Sequence, residues 1–100
     1  MDDYFEKPNK SRYTVLVIYD ISDNPRRYRV NKLLKGYGTR VQRSAFECVL
    51  SNRKYNKLIG SIERIISEGD LVRIYKLTEN TEVRIWGDTG RIEYDDFLIF

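Results

Sequence analysis

Tyr13-Thr14-Val15-Leu16-Val17-Ile18-Tyr19-Asp20-Ile21 is a run of β-branched and aromatic residues broken only at its end, by a carboxylate. Such a run, bounded by polar segments, reads as a strand covered on both faces and therefore central in its sheet. Strand side chains alternate, so Thr14, Leu16, Ile18 and Asp20 share one face while Tyr13, Val15, Val17 and Tyr19 share the other. A carboxylate that continues an apolar row is costly unless it meets water, a donor or a metal. By spacing alone, an Asp at a strand end is more often a helix cap or the partner of a nearby arginine than a metal ligand.

Downstream of this strand, Ser22-Asp23-Asn24-Pro25 is a helix start, with Asn24 as the expected cap and Pro25 at the first helical position. Val30, Leu33, Leu34 and Tyr37 then recur at helical spacing and form one apolar stripe, which Gly36 and Gly38 end. The outer face carries Arg26, Arg27, Arg29, Lys32 and Lys35. Arginines in a first turn oppose the helix dipole at about 0.3 to 1 kcal/mol each when exposed. An arriving anion reverses that sign, because amides and guanidinium groups then converge on it. From Arg26 to Arg43 there are seven basic residues and no acidic one, although the net charge of the whole chain is only +3. That imbalance points to an anionic partner.

Thr39 to Leu50 is extended throughout and too long for one typical strand, so a tight reversal is expected near Arg43-Ser44. Ser51-Asn52 leads into a second helix, about Arg53 to Glu68, with Tyr55, Leu58, Ile59, Ile62, Ile65 and Ile66 buried and Gly69 as its stop. Leu71 to Leu77 is a further strand, and Glu82 to Trp86 a short fifth one closed by Gly87. The order predicts an α+β, ferredoxin-like βαββαβ fold with an additional C-terminal edge strand. Residues 1 to 12 form an expected mobile arm, 13 to 90 the domain, and 91 to 100 a tail whose apolar end, Phe97-Leu98-Ile99-Phe100, docks on a partner subunit.

One hundred residues, 41% apolar and 33% charged, suit a single soluble domain. No apolar stretch approaches the roughly 18 residues of a membrane span, and the N-terminus is acidic, so a cytoplasmic protein with no membrane partner is expected. The lone Cys48 excludes an intramolecular disulfide and reads as a small buried hydrophobe. Histidine is absent, which removes Ser-His and Cys-His nucleophile systems and an imidazole base. Any chemistry must come from carboxylates, Tyr, Lys, Arg or a bound hard cation. Tyr13, Tyr19, Tyr55, Tyr75 and Trp86 are read as core or subunit-interface residues rather than base-stacking platforms.

With Val17-Ile18-Tyr19-Asp20-Ile21, Arg27-Tyr28-Arg29-Val30, Gly38-Thr39-Arg40-Val41-Gln42, Ser44-Ala45-Phe46-Glu47 and Asp70 to Tyr75 placed in this order, the chain resembles the smaller of the two universal CRISPR adaptation proteins. That family consists of ferredoxin-like homodimers described as metal-dependent nucleases and as the central piece of the spacer-integration complex. The resemblance implies that Asp20 is a magnesium ligand facing its twin across the dimer axis. It implies catalytic support from Tyr19, Arg27 and Arg29. Nucleic-acid contacts are expected from Arg26, Arg27, Arg29, Lys32, Arg40, Arg43 and Phe46. Arg43 stands where an aromatic is frequent in the family, and Lys76 where proline is common.

Three functions are open at this point. The first is a Mg(II)-dependent endonuclease acting on single-stranded RNA or duplex DNA, since magnesium needs only one or two carboxylates beside water and phosphate. The second is a DNA-binding scaffold that bridges dimers of the CRISPR integrase subunit without catalysis. The third is a small-molecule regulatory domain, whose binding would be insensitive to salt where phosphate contacts are steeply sensitive.

Overall fold

The computed structural model describes residues 11 to 78 and 80 to 87. Its elements follow in the order β1 (Arg12–Asp20), α1 (Asn24–Lys35), β2 (Gly38–Gln42), β3 (Ala45–Ser51), α2 (Asn52–Ile65) and β4 (Leu71–Leu77). The four strands form one antiparallel sheet ordered β2-β3-β1-β4, the ferredoxin-like arrangement with β1 in an inner position. The expected reversal is found: β2 and β3 turn back on each other at Arg43-Ser44. No helix among the described residues is long and apolar enough to cross a membrane.

The core sits between one sheet face and the two helices. Val15, Val17 and Tyr19 of β1 and Phe46, Cys48 and Leu50 of β3 meet Val30 and Leu34 of α1 and Leu58 and Ile62 of α2. The Cys48 thiol lies inside, and burial pushes it up to about 11, which makes it inert as a nucleophile. Lys76 seals an edge of this layer. Its ammonium lies 4.3 Å from the centre of the Tyr13 ring and 4.5 Å from that of Tyr55, and donates to Asn52 Oδ1 at 2.8 Å.

Four expectations are corrected. β1 is central but covered on one face only: Leu16 is half-buried, Ile18 is 38% exposed, and Val49, opposite Thr14 on β3, is 61% exposed. The cap of α1 is Asp23, whose side chain accepts from the Arg26 amide at 2.9 Å, while Asn24 is the first helical residue and receives the Arg27 guanidinium. α2 ends at Ile65, because Asp70 binds Ser67 through both its amide and its carboxylate and draws Ser67 to Asp70 into a turn, with Gly69 at φ +96°. No strand forms over Glu82 to Trp86: among the described residues no edge pairs with it, and Trp86 is 81% exposed. The expected arm and tail lie, apart from Ser11 and Arg12, outside the described residues; Arg12 already belongs to β1.

Candidate active site at the end of the central strand

β1 stops at Asp20 because Ile21 turns into the core and Asp23 opens α1 three residues on. The strand end, the first turn of α1 and the β2 to β3 turn enclose an open cleft of about 280 Å³ lined by Asp20, Ile21, Arg27, Arg40, Arg43 and Ser44. Three arginines thus line the same cleft as one carboxylate. Asp20 is exposed, and no hydrogen bond or ion pair among the described residues engages it. The cap and ion-pair alternatives for Asp20 are therefore not realised among the described residues: Asp23 takes the cap, and Arg27 and Arg40 donate to backbone carbonyls.

Each arginine is held differently. Arg27 folds back over the loop, donating from Nη1 to the Ile21 carbonyl at 2.9 Å and to the Ser22 carbonyl at 3.4 Å, and from Nη2 to Asn24 Oδ1. Arg40 is only 8% exposed. A register shift between Arg40 and Gln42 bulges β2 there, and bulges re-aim side chains at sites of this kind. The Arg40 guanidinium closes the turn by donating from Nε and Nη2 to the Arg43 carbonyl at 3.2 and 2.8 Å, and it lies 5.7 Å over the Phe46 ring. Arg43 itself is exposed.

Beneath the cleft is a buried polar layer. The Tyr19 hydroxyl donates to Oδ1 of Asn31, a buried residue of α1, and lies 3.5 Å from the Arg43 carbonyl. The Tyr19 amide donates to the Ser44 carbonyl at 3.0 Å, which fixes the turn against β1. Burial raises the Tyr19 pKa, opposed by the charge and hydrogen bond of Arg40 and by the charge of Arg27. The phenol therefore stays protonated at neutral pH and serves as a donor rather than a base.

Of the residues singled out in the sequence, Asp20, Arg27, Arg40 and Arg43 come together. Tyr19 and Phe46 do not line the cleft; they lie in the core with their rings stacked 6.5 Å apart. Arg29 and Lys32 are exposed on α1 but do not line the cleft, since Arg27 and Arg29 point about 200° apart around the helix. Arg26 turns to Asp70 in a two-point ion pair. Asn31 and Asp70 are the residues the sequence reading missed. Asn31 lies in none of the quoted segments, Asp70 opens one of them but was given no role there, and their partners are 12 and 44 residues away.

Residues 13 to 85 match the family model described as CRISPR associated protein Cas2. The chain belongs to the Cas2 family. A relative from Mycobacterium tuberculosis, named CRISPR-associated endoribonuclease Cas2, is 38% identical over 107 aligned residues that cover 99% of this chain and 95% of that protein. A solved Cas2 crystal structure superposes with a TM-score of 0.68 at 36% identity, covering 79% of this chain and 91% of that one. A chain of a structure titled as a partial Cas6-RT-Cas1–Cas2 complex superposes at 0.61 and 29% identity, covering 68% and 81%. The Cas2 resemblance drawn from the sequence segments and the ferredoxin-like fold are thereby established.

Whether this Cas2-family cleft suits a divalent cation depends on its donors. Among the described residues no group of three metal-ligating side chains is found. Magnesium keeps several waters and accepts one or two carboxylates plus substrate phosphate. A single open carboxylate in a cleft that arginines also line is compatible with that requirement, and Asp20 is the residue that would hold such an ion.

Proposed function

We propose that this chain is a magnesium-dependent endonuclease of CRISPR adaptation, cutting phosphodiester bonds in single-stranded RNA or duplex DNA as a homodimer that also engages the integrase. The observation that carries the reading is the open Asp20 carboxylate in one cleft with Arg27, Arg40 and Arg43. Asp20 holds the cation. A bound magnesium ion supplies Lewis acidity to the phosphoryl oxygen and acidifies water. Arg43, exposed on its turn, receives the phosphate, and Arg27, anchored by two carbonyls, presents its remaining donors to the developing charge. Arg40 acts from beneath by holding the turn that carries Arg43. Tyr19, kept protonated, and Cys48, buried, are excluded as base and nucleophile.

The homodimer is supported by the open face of the sheet, where Ile18, Val49, Leu71 and Tyr75 are exposed. A second copy is the occupant this reading gives to that face, with the tail, outside the described residues, gripping a partner subunit. The scaffold reading, in which the protein bridges integrase dimers without cutting, is favoured by one observation: among the described residues, one carboxylate lines the cleft.

Cleavage of RNA and DNA with and without magnesium, comparing wild type with Asp20→Asn purified side by side, tests the proposal. Loss of about 10²-fold or more in rate at unchanged nucleic-acid affinity is expected. Equal cleavage by both proteins removes the proposal. A variant that no longer cuts yet supports spacer acquisition in cells assigns the biology to the scaffold.

A further inference from the structure

Asp70 carries no sequence signal for chemistry, yet it stands directly beside the site. β1 and β4 pair to their ends with Asp20 opposite Leu71, so Asp70 is the first residue beyond that pairing. Its side chain is 4% exposed. Both oxygens are taken by Arg26, with Nε donating to Oδ2 at 2.8 Å and Nη2 to Oδ1 at 3.1 Å, and Oδ2 also accepts from the Ser67 amide at 2.8 Å.

Arg26 is fastened a second time, at its amide, by the Asp23 cap at 2.9 Å. The loop from Asp20 to Arg26 therefore has both ends tied, one by strand pairing and the other by cap and fork. Arg27 gathers its middle through the Ile21 and Ser22 carbonyls. An exposed single-point ion pair would do little here. A two-point guanidinium-carboxylate fork on a buried carboxylate fixes direction as well as distance, and it joins α1 to the strand flanking Asp20.

We propose that Asp70, acting through Arg26, is a positioning residue that sets the Asp20 to Asn24 loop in the geometry the cleft requires. The proposal rests on the assignment of Asp20 as the cation-holding carboxylate. It also moves Arg26 from the nucleic-acid contacts to the support of the loop.

Asp70→Asn keeps the shape and removes the charge. Amide hydrogen exchange across Ser22 to Arg27 is expected to quicken by about fivefold or more while the β1 and β3 amides hold their rates. Turnover should fall by about tenfold, and the magnesium concentration for half-maximal rate should rise, with KM for nucleic acid within about twofold of wild type. Where Asp70→Asn does not fold, Arg26→Gln removes the same fork from its more exposed side. Unchanged loop exchange or wild-type turnover each overturns the proposal. Absence of magnesium-stimulated cleavage in the wild type instead defeats the assignment of Asp20, and the exchange measurement, which needs neither metal nor substrate, still decides whether Asp70 holds the loop.

Discussion

Truncating Phe46 to alanine separates a core role from a nucleic-acid contact. The ring is fully buried, stacked on Tyr19 at 6.5 Å between centroids and lying 5.7 Å beneath the Arg40 guanidinium. Emptying such a site costs about 3 to 5 kcal/mol, and the lost cation–π contact adds about 0.5 to 2 kcal/mol. A domain of this size is held by about 5 to 15 kcal/mol, and each kcal/mol moves its melting temperature by about 4 to 8 °C. Phe46→Ala should therefore melt at least about 12 °C below wild type. Phe46→Leu keeps most of the volume and costs about 1.5 kcal/mol at most. The assay is a thermal melt by circular dichroism, paired with fluorescence anisotropy on labelled single-stranded RNA at a temperature where each variant is folded. Phe46→Leu should bind within about twofold of wild type, since nothing it presents to solvent changes. An alanine variant that melts within about 3 °C of wild type but has lost RNA binding would refute the assignment of this ring to the core.

Two further outcomes follow from individual contacts. A Cβ on Gly38 would stand 2.3 Å from the Glu47 carbonyl oxygen, 2.6 Å from Cys48 Sγ and 2.8 Å from Cys48 Cα. Because two of these are backbone atoms that cannot swing aside, Gly38→Ala should prise β2 from β3 and cost about 1 to 3 kcal/mol or more, read as a lower urea midpoint. The Asp70 carboxyl is held below its ordinary value, first by the Arg26 hydrogen bonds and then by the Ser67 amide. A depressed carboxylate stabilises the fold above its unfolded pKa and loses that contribution as pH falls through the folded value. The melting-temperature gap between wild type and Asp70→Asn should thus be full at neutral pH and close in acid below the ordinary carboxylate range; a gap that persists there contradicts the ion pair.

The central strand was legible because nine consecutive positions, Tyr13 to Ile21, offered no polar break before Asp20, and the two helices because their apolar residues recur at helical spacing. The reversal at Arg43-Ser44 was placed by strand length alone. What makes it a turn is non-local: the Arg40 guanidinium on the Arg43 carbonyl and the Tyr19 amide on the Ser44 carbonyl. The same limit applies to the basic helix. Arg26, Arg27 and Arg29 look alike in sequence, but one is bound by a carboxylate 44 residues away, one by carbonyls just before it, and one faces outward. Charge is local information, whereas the partner that uses it belongs to the tertiary fold. Val83 and Ile85 alternate as a strand should, yet alternation specifies a face and not a pairing edge.

Parity along β1 explains why the cleft combines opposite charges. Val15, Val17 and Tyr19 point to the helices, and Asp20, one residue later, belongs to the other row with Leu16 and Ile18. The buried layer of Tyr19, Asn31 and Arg40 reaches the site from the helical side, while Asp20 comes from the open side. They meet only where the strand ends and the two faces are no longer separated by sheet. A carboxylate one position earlier would occupy the Tyr19 site inside the core; one position later it would take the buried place of Ile21. A second copy covering the open face would bring its own Asp20 row against this one. The residue that completes the cleft is thus carried on the face that dimerisation would close, which ties the proposed chemistry to assembly through a single strand.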